Sequence, residues 1–127
     1  MRASLAVERA LEAGDVLAAR QALGDPPDWP NVVDPYLGDT VLALAIARAP
    51  AEAITQLLAQ GAGLNDGTAL HFACWYDDPV AVRILLDAGA NPDTRTRIDD
   101  YESPREIAER AGGEAQRALA EWLDAHR

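Results

Sequence analysis

The chain has 127 residues, 49% of them hydrophobic, enough for one folded domain with its own core. Asp and Glu number 21 against 11 basic residues, all arginine, and the net charge of −10 opposes binding to nucleic-acid phosphates or to an anionic membrane surface. A single cysteine excludes an internal disulfide and fits a reducing cytoplasm, and no apolar run reaches membrane-spanning length.

In chain order, four alanines mark a repeated pattern: Ala10, Ala45, Ala73 and Ala108, spaced 35, 28 and 35 residues apart. A hydroxyl residue stands five or six positions before each, at Ser4, Thr40, Thr68 and Ser103. An apolar pair follows twelve to fifteen positions after each: Ala22-Leu23, Leu57-Leu58, Leu85-Leu86 and Trp122-Leu123. A period of this size is the signature of a solenoid, in which each helix pair cannot bury its apolar face alone. The expected organisation is a single domain over 1–127, with units of about 4–38, 39–66, 67–101 and 102–127. At least seven helices in antiparallel pairs are predicted, with no sheet beyond an occasional two-strand finger.

The first unit offers Ser4 as a cap, Gly14-Asp15 as a turn and Ala22-Leu23 as the end of an outer helix. Glu8 inside its helical stretch and the lack of a cleavage pattern do not read as a signal peptide. Its link, Gly24 to Asp39, holds four prolines with Trp29 and Tyr36 and is predicted to be extended and semi-rigid. In the second unit, Thr40 precedes Val41 to Ala45, and Ala49-Pro50 makes the turn into a helix with Ile54, Leu57 and Leu58 buried. In the third, Thr68 caps the inner helix, Asp77 occupies the turn and Pro79 opens an outer helix with a buried stripe of Val80, Ile84 and Leu85. Gly61 and Gly89 close the two outer helices at positions that favour a left-handed residue. The fourth unit opens on Ser103-Pro104-Arg105-Glu106, a capping box with proline at the first helical position, and Gly112 marks its turn.

Gly67-Thr68-Ala69-Leu70-His71-Phe72-Ala73-Cys74 is close to T-P-L-H-x-A and runs on through Val80 to Asn91, so the third unit resembles an ankyrin repeat over its whole length. The second unit lacks the Pro and His of that motif. The fourth keeps Ser103-Pro104 and Ala108 but places Arg105 and Glu106 where the family has Leu and His, and the first keeps only the spacing. The resemblance implies an all-α solenoid of stacked helix–turn–helix units with short finger loops. It also implies that His71 is a structural hydrogen-bonding residue.

Little in the chain supports catalysis. His71 and His126 lack a second ligand at zinc-like spacing, and Gly61-Ala62-Gly63 follows a helix instead of a strand, so it is no phosphate loop. Cys74 reads as a small core residue. Asp77-Asp78, and Asp99-Asp100 with Glu102, are expected to be solvated carboxylates, not a metal site. No cofactor, no metal and no catalytic residue is expected.

In ankyrin repeats the two residues after the inner-helix L-A-A segment face a concave groove. Here these are Ala47-Arg48, Trp75-Tyr76 and Arg110-Ala111. Two placements are open for Trp75, exposed or folded back over a neighbouring helix, while Tyr76 is expected to be exposed. The link Gly61 to Gly67 is about five residues shorter than the family's finger, whereas Asn91 to Glu102 is longer and carries Arg95, Arg97, Asp99, Asp100 and Tyr101. A notch above Trp75-Tyr76 is therefore expected, flanked by Arg48 and Arg110, with Tyr36 and Tyr101 from the fingers and Asp77, Asp78, Asp99 and Asp100 as an acidic rim.

The first functional reading is a non-catalytic, cytoplasmic protein-interaction module, monomeric alone, that binds another protein, with the charge favouring a basic one. The second is an inhibitor or immunity-type protein that neutralises a basic enzyme or toxin. An enzyme stands third, since it would need a buried polar pocket.

Overall fold

A computed structural model describes residues 3–32, 40–64, 69–95 and 102–126. The described residues form eight helices and no strand. Contacts divide the chain into two compact units, Met1–Gly63 and Leu64–Arg127.

The first unit holds α1 (Ala3–Glu12), α2 (Val16–Ala22), α3 (Val41–Arg48) and α4 (Ala51–Ala59). The inner helices α1 and α3 pack together, each carries its own outer partner, and α2 touches α4. Val7, Leu11, Val41, Ala45, Ile54 and Leu57 fill the centre. The turn from α1 to α2 has a direct cause in sequence: Gly14 adopts φ 75°, and Gly14 and Asp15 donate to the carbonyls of Leu11 and Ala10 at 2.9 and 2.8 Å. Asp15 then caps α2 by accepting from the Ala18 N–H. Thr40 caps α3 through the Ala43 N–H in the same way. α1 begins at Ala3, so Ser4 falls inside its first turn instead of ahead of it.

The second unit repeats the arrangement with α5 (Ala69–Trp75), α6 (Pro79–Asp87), α7 (Pro104–Ala111) and α8 (Glu114–Ala125). α5 packs on α6 and α7, and α8 packs on both α6 and α7. Ala73 and Ala108 are fully buried, as Ala45 is in the first unit, because only a methyl group fits where inner helices meet so closely. Ser103 and Glu106 form the expected capping box, with Pro104 at the first helical position. Thr68, the expected cap of α5, lies outside the described residues.

Two expectations need correction. The buried stripe of α6 is Ala81, Val82, Leu85 and Leu86, while Val80 is half exposed and Ile84, like Leu58 on α4, is only partly buried. Pro79 takes the first helical position as expected, and α6 packs against both α5 and α8, so its inward face is set by two neighbours. The described start of the proline-rich link is not extended. The N–H groups of Trp29 and Asn31 bond back to Pro26 and Asp28, closing successive turns. Trp29 donates from its indole to Gln60, and Asn31 accepts from Gly63 N–H while donating to the Gly61 carbonyl. The link is thus strapped to the end of α4, because Gly61 leaves backbone groups there for an amide side chain to meet.

Candidate interaction surface

Among the described residues of the second unit, the end of α5 carries the most exposed large apolar side chains. Trp75 is 62% exposed and Tyr76 50%, so the open placement of Trp75 resolves in favour of solvent. Three features put them there. Ala73 and Cys74 face inward, so the next two residues on the helix must turn outward. Phe72 stacks on Tyr76 with ring centroids 6.2 Å apart, which holds the phenol in place. Then Asp77, at φ 54°, ends the helix. Its N–H and that of Asp78 close on the Cys74 and Ala73 carbonyls, repeating the turn at Gly14-Asp15.

Beside Trp75 lies a shallow cleft of about 230 Å³ lined by Cys74, Trp75, Ile107, Arg110 and Ala111. Its floor is apolar and Arg110 stands at its edge, paired with Glu102. Cys74 is buried, and burial, with Asp77 nearby, pushes its thiol up to about 12. The thiol therefore stays protonated at neutral pH and is a poor nucleophile.

The remaining predicted site residues divide into several groups. Arg48 is exposed in the first unit and lies within 3.8 Å of Glu8 and 3.6 Å of Glu12. Arg95 pairs with Glu106 on α7. Asp78 caps α6 by accepting from Val80 and Ala81, and Asp77 accepts from Ala115 at the start of α8. Both carboxylates, read from sequence as a solvated acidic rim, are thus bound to helix N-termini. Tyr36, Arg97, Asp99, Asp100 and Tyr101 lie outside the described residues.

His71, 2% exposed, donates from Nε2 to the Glu102 carbonyl oxygen at 2.9 Å, tying α5 to the segment that leads into α7. Sequence reading missed the partners of Asp77, Asn31 and Trp29, since each bond spans thirty or more residues. One signal was available for Asp77: its counterparts in the first and fourth units, Gly14 and Gly112, are glycines in the same left-handed region. Among the described residues no group of three or more His, Cys, Asp or Glu could hold a metal ion, and no helix is long and apolar enough to cross a membrane.

These features define a repeat protein built from helix pairs that presents side chains at the ends of its inner helices. The family model for ankyrin repeats, three copies, matches residues 5–96, well over half of the chain. The chain belongs to the ankyrin repeat family. No curated protein matches it. Ankyrin repeats are generally protein–protein interaction modules, and their family is typically non-catalytic.

Proposed function

We propose that this protein binds a basic protein partner through the end of α5, with Trp75 and Tyr76 at the centre of the contact and no chemistry of its own. The observation that carries this reading is the exposure of both aromatics, 62% and 50%, beside an apolar cleft. Trp and Tyr bring large, rigid contact area at low entropic cost and dominate binding hot spots. The net charge of −10 favours a basic partner by raising the encounter rate. A thiol held protonated and a buried histidine bonded to a backbone carbonyl support a non-catalytic role.

The test is capture from a native lysate on the immobilised protein, comparing wild type with the Trp75→Ala/Tyr76→Ala variant at matched circular dichroism. A partner held by the wild type should be lost from the variant, at a cost of about 2 kcal/mol or more per aromatic. Equal recovery on both would place the contact elsewhere.

A further inference from the structure

Asp77 occupies a backbone position that disfavours it. Its φ of 54° lies in the left-handed region, where the equivalent turns use Gly14 at φ 75° and Gly112 at φ 65°. Aspartate tolerates this region better than most residues but still at a cost relative to glycine. What the aspartate gains is visible on α8. Gly113, the residue ahead of that helix, offers no side chain to cap it, and the Asp77 carboxylate fills the vacancy by accepting the Ala115 N–H at 2.8 Å. The fit is tight on both sides: a Cβ on Gly113 would lie 2.6 Å from Asp77 Oδ1 and 2.7 Å from Cγ. Asp77 and Gly113 are therefore mutually dependent, one needing its carboxylate and the other needing to lack a side chain.

We propose that Asp77 is a positioning residue for the Trp75–Tyr76 surface, a latch whose carboxylate on α8 fixes where α5 ends and hence where both aromatics point. A carboxylate at a helix N-terminus meets both unpaired N–H groups and the positive end of the helix dipole, so the latch holds without burial of the charge. Both aromatics immediately precede the latched residue, and the carbonyls of Ala73 and Cys74 accept the closing bonds of the same turn. Any shift of Asp77 moves the turn, and the turn carries Trp75 and Tyr76 with it.

This inference rests on the binding role given above to the end of α5, yet its test uses no partner, so the two can fail separately. Amide exchange at Ala115 and the indole N–H resonance of Trp75 (assigned through Trp75→Phe) are followed in isotope-labelled protein. Asp77→Gly relaxes the backbone and removes only the carboxylate, so it should fold. It should quicken Ala115 exchange by on the order of fivefold and shift the Trp75 resonance. Asp77→Asn keeps an acceptor and should restore both readouts. Gly113→Ala should reproduce the Asp77→Gly effects in the wild-type chain and add nothing in the Asp77→Gly chain, because the carboxylate it displaces is already gone. Faster Ala115 exchange with an unmoved Trp75 resonance would reduce Asp77 to a simple cap, and additive effects of the two substitutions would show there is no latch.

Discussion

In the unit Met1–Gly63 the turn at Gly14 meets the turn at Pro50 through apolar atoms, whereas in Leu64–Arg127 the turn at Asp77 meets Gly113 through a carboxylate. A Cβ on Gly14 would lie 3.1 Å from Pro50 Cγ, and one on Gly113 would strike Asp77. The inner-helix ends differ in step with the turns. Arg48 in the first unit sits between Glu8 and Glu12, a charged surface. The equivalent end of α5 presents Trp75 and Tyr76 to solvent instead. The same helix-pair arrangement thus yields one charged end and one aromatic end, and the polar latch accompanies the aromatic one. Side chains at the second and third positions after each buried alanine, Ala47-Arg48 and Trp75-Tyr76, set this character, while α3 ends on an extended Ala49 and α5 on the left-handed turn at Asp77.

The largest expected effect tests whether the cores are as alike as their helix arrangement. Leu57 on α4 and Leu85 on α6 are both fully buried at corresponding positions. Leu57→Ala and Leu85→Ala should each destabilise by about 2–5 kcal/mol in urea melts. Amide protection should fall mainly in α1–α4 for the first and in α5–α8 for the second. Losses spread evenly through all eight helices in both variants would erase the distinction between the units.

A smaller effect separates the devices that tie down each unit's links. The second unit uses His71, buried and bonded to the Glu102 carbonyl, while the first has Ala43 at the equivalent place and uses Asn31 on Gly61 and Gly63. His71→Ala leaves a partly buried carbonyl without its donor and should cost roughly 1–2 kcal/mol, measured by thermal melts. Asn31→Ala breaks exposed bonds and should cost about 1 kcal/mol or less. Partner capture should survive His71→Ala; its loss in a fully folded variant would make His71 part of the binding surface.

The smallest effect is acidic and confined to the second unit. The bidentate hydrogen bonds from Arg105 lower the Asp93 carboxyl from its ordinary 3.8, and the Ser103 backbone N–H lowers Glu106 from 4.5. Because the folded values are lower, the unfolded chain takes up protons first. The stabilisation is present above the ordinary values and disappears as pH falls from about 4.5 through the lowered folded ones. The Asp93–Arg105 pair is solvent-screened and should contribute no more than a few tenths of a kcal/mol. Amide protection at the start of α7, corrected for the intrinsic exchange rate at each pH, should fall between pH 5 and pH 3 in wild type and fall less in Arg105→Gln. Equal acid sensitivity in both would remove this pair from the account.

Much of the fold was legible in local sequence. Thr40 and Ser103 act as caps, Gly14 and Gly112 are left-handed, and the buried alanines recur at their period because short-range chemistry and helical spacing decide those features. The helix α6 starts at Pro79 as expected, and its stripe failed at Val80 because α6 packs against both α5 and α8, so tertiary contacts and not apolar spacing chose the inward face. The extended link failed at Trp29 and Asn31 because the backbone groups that hold it lie on α4, about thirty residues away.

The candidate surface divides along the same line. Sequence by itself determined the family and the helix pairs, and the choice of Trp75 and Tyr76 followed from the ankyrin resemblance, which places the two residues after the inner-helix L-A-A segment on the groove face. Only the tertiary structure decided that Trp75 is solvent-exposed, that Asp77 and Asp78 cap helices instead of forming a free acidic rim, and that Arg110 and Arg95 are paired with Glu102 and Glu106. A carboxylate's partner depends on which helix end comes within about 3 Å of it, and that distance is set by packing between segments far apart in the chain.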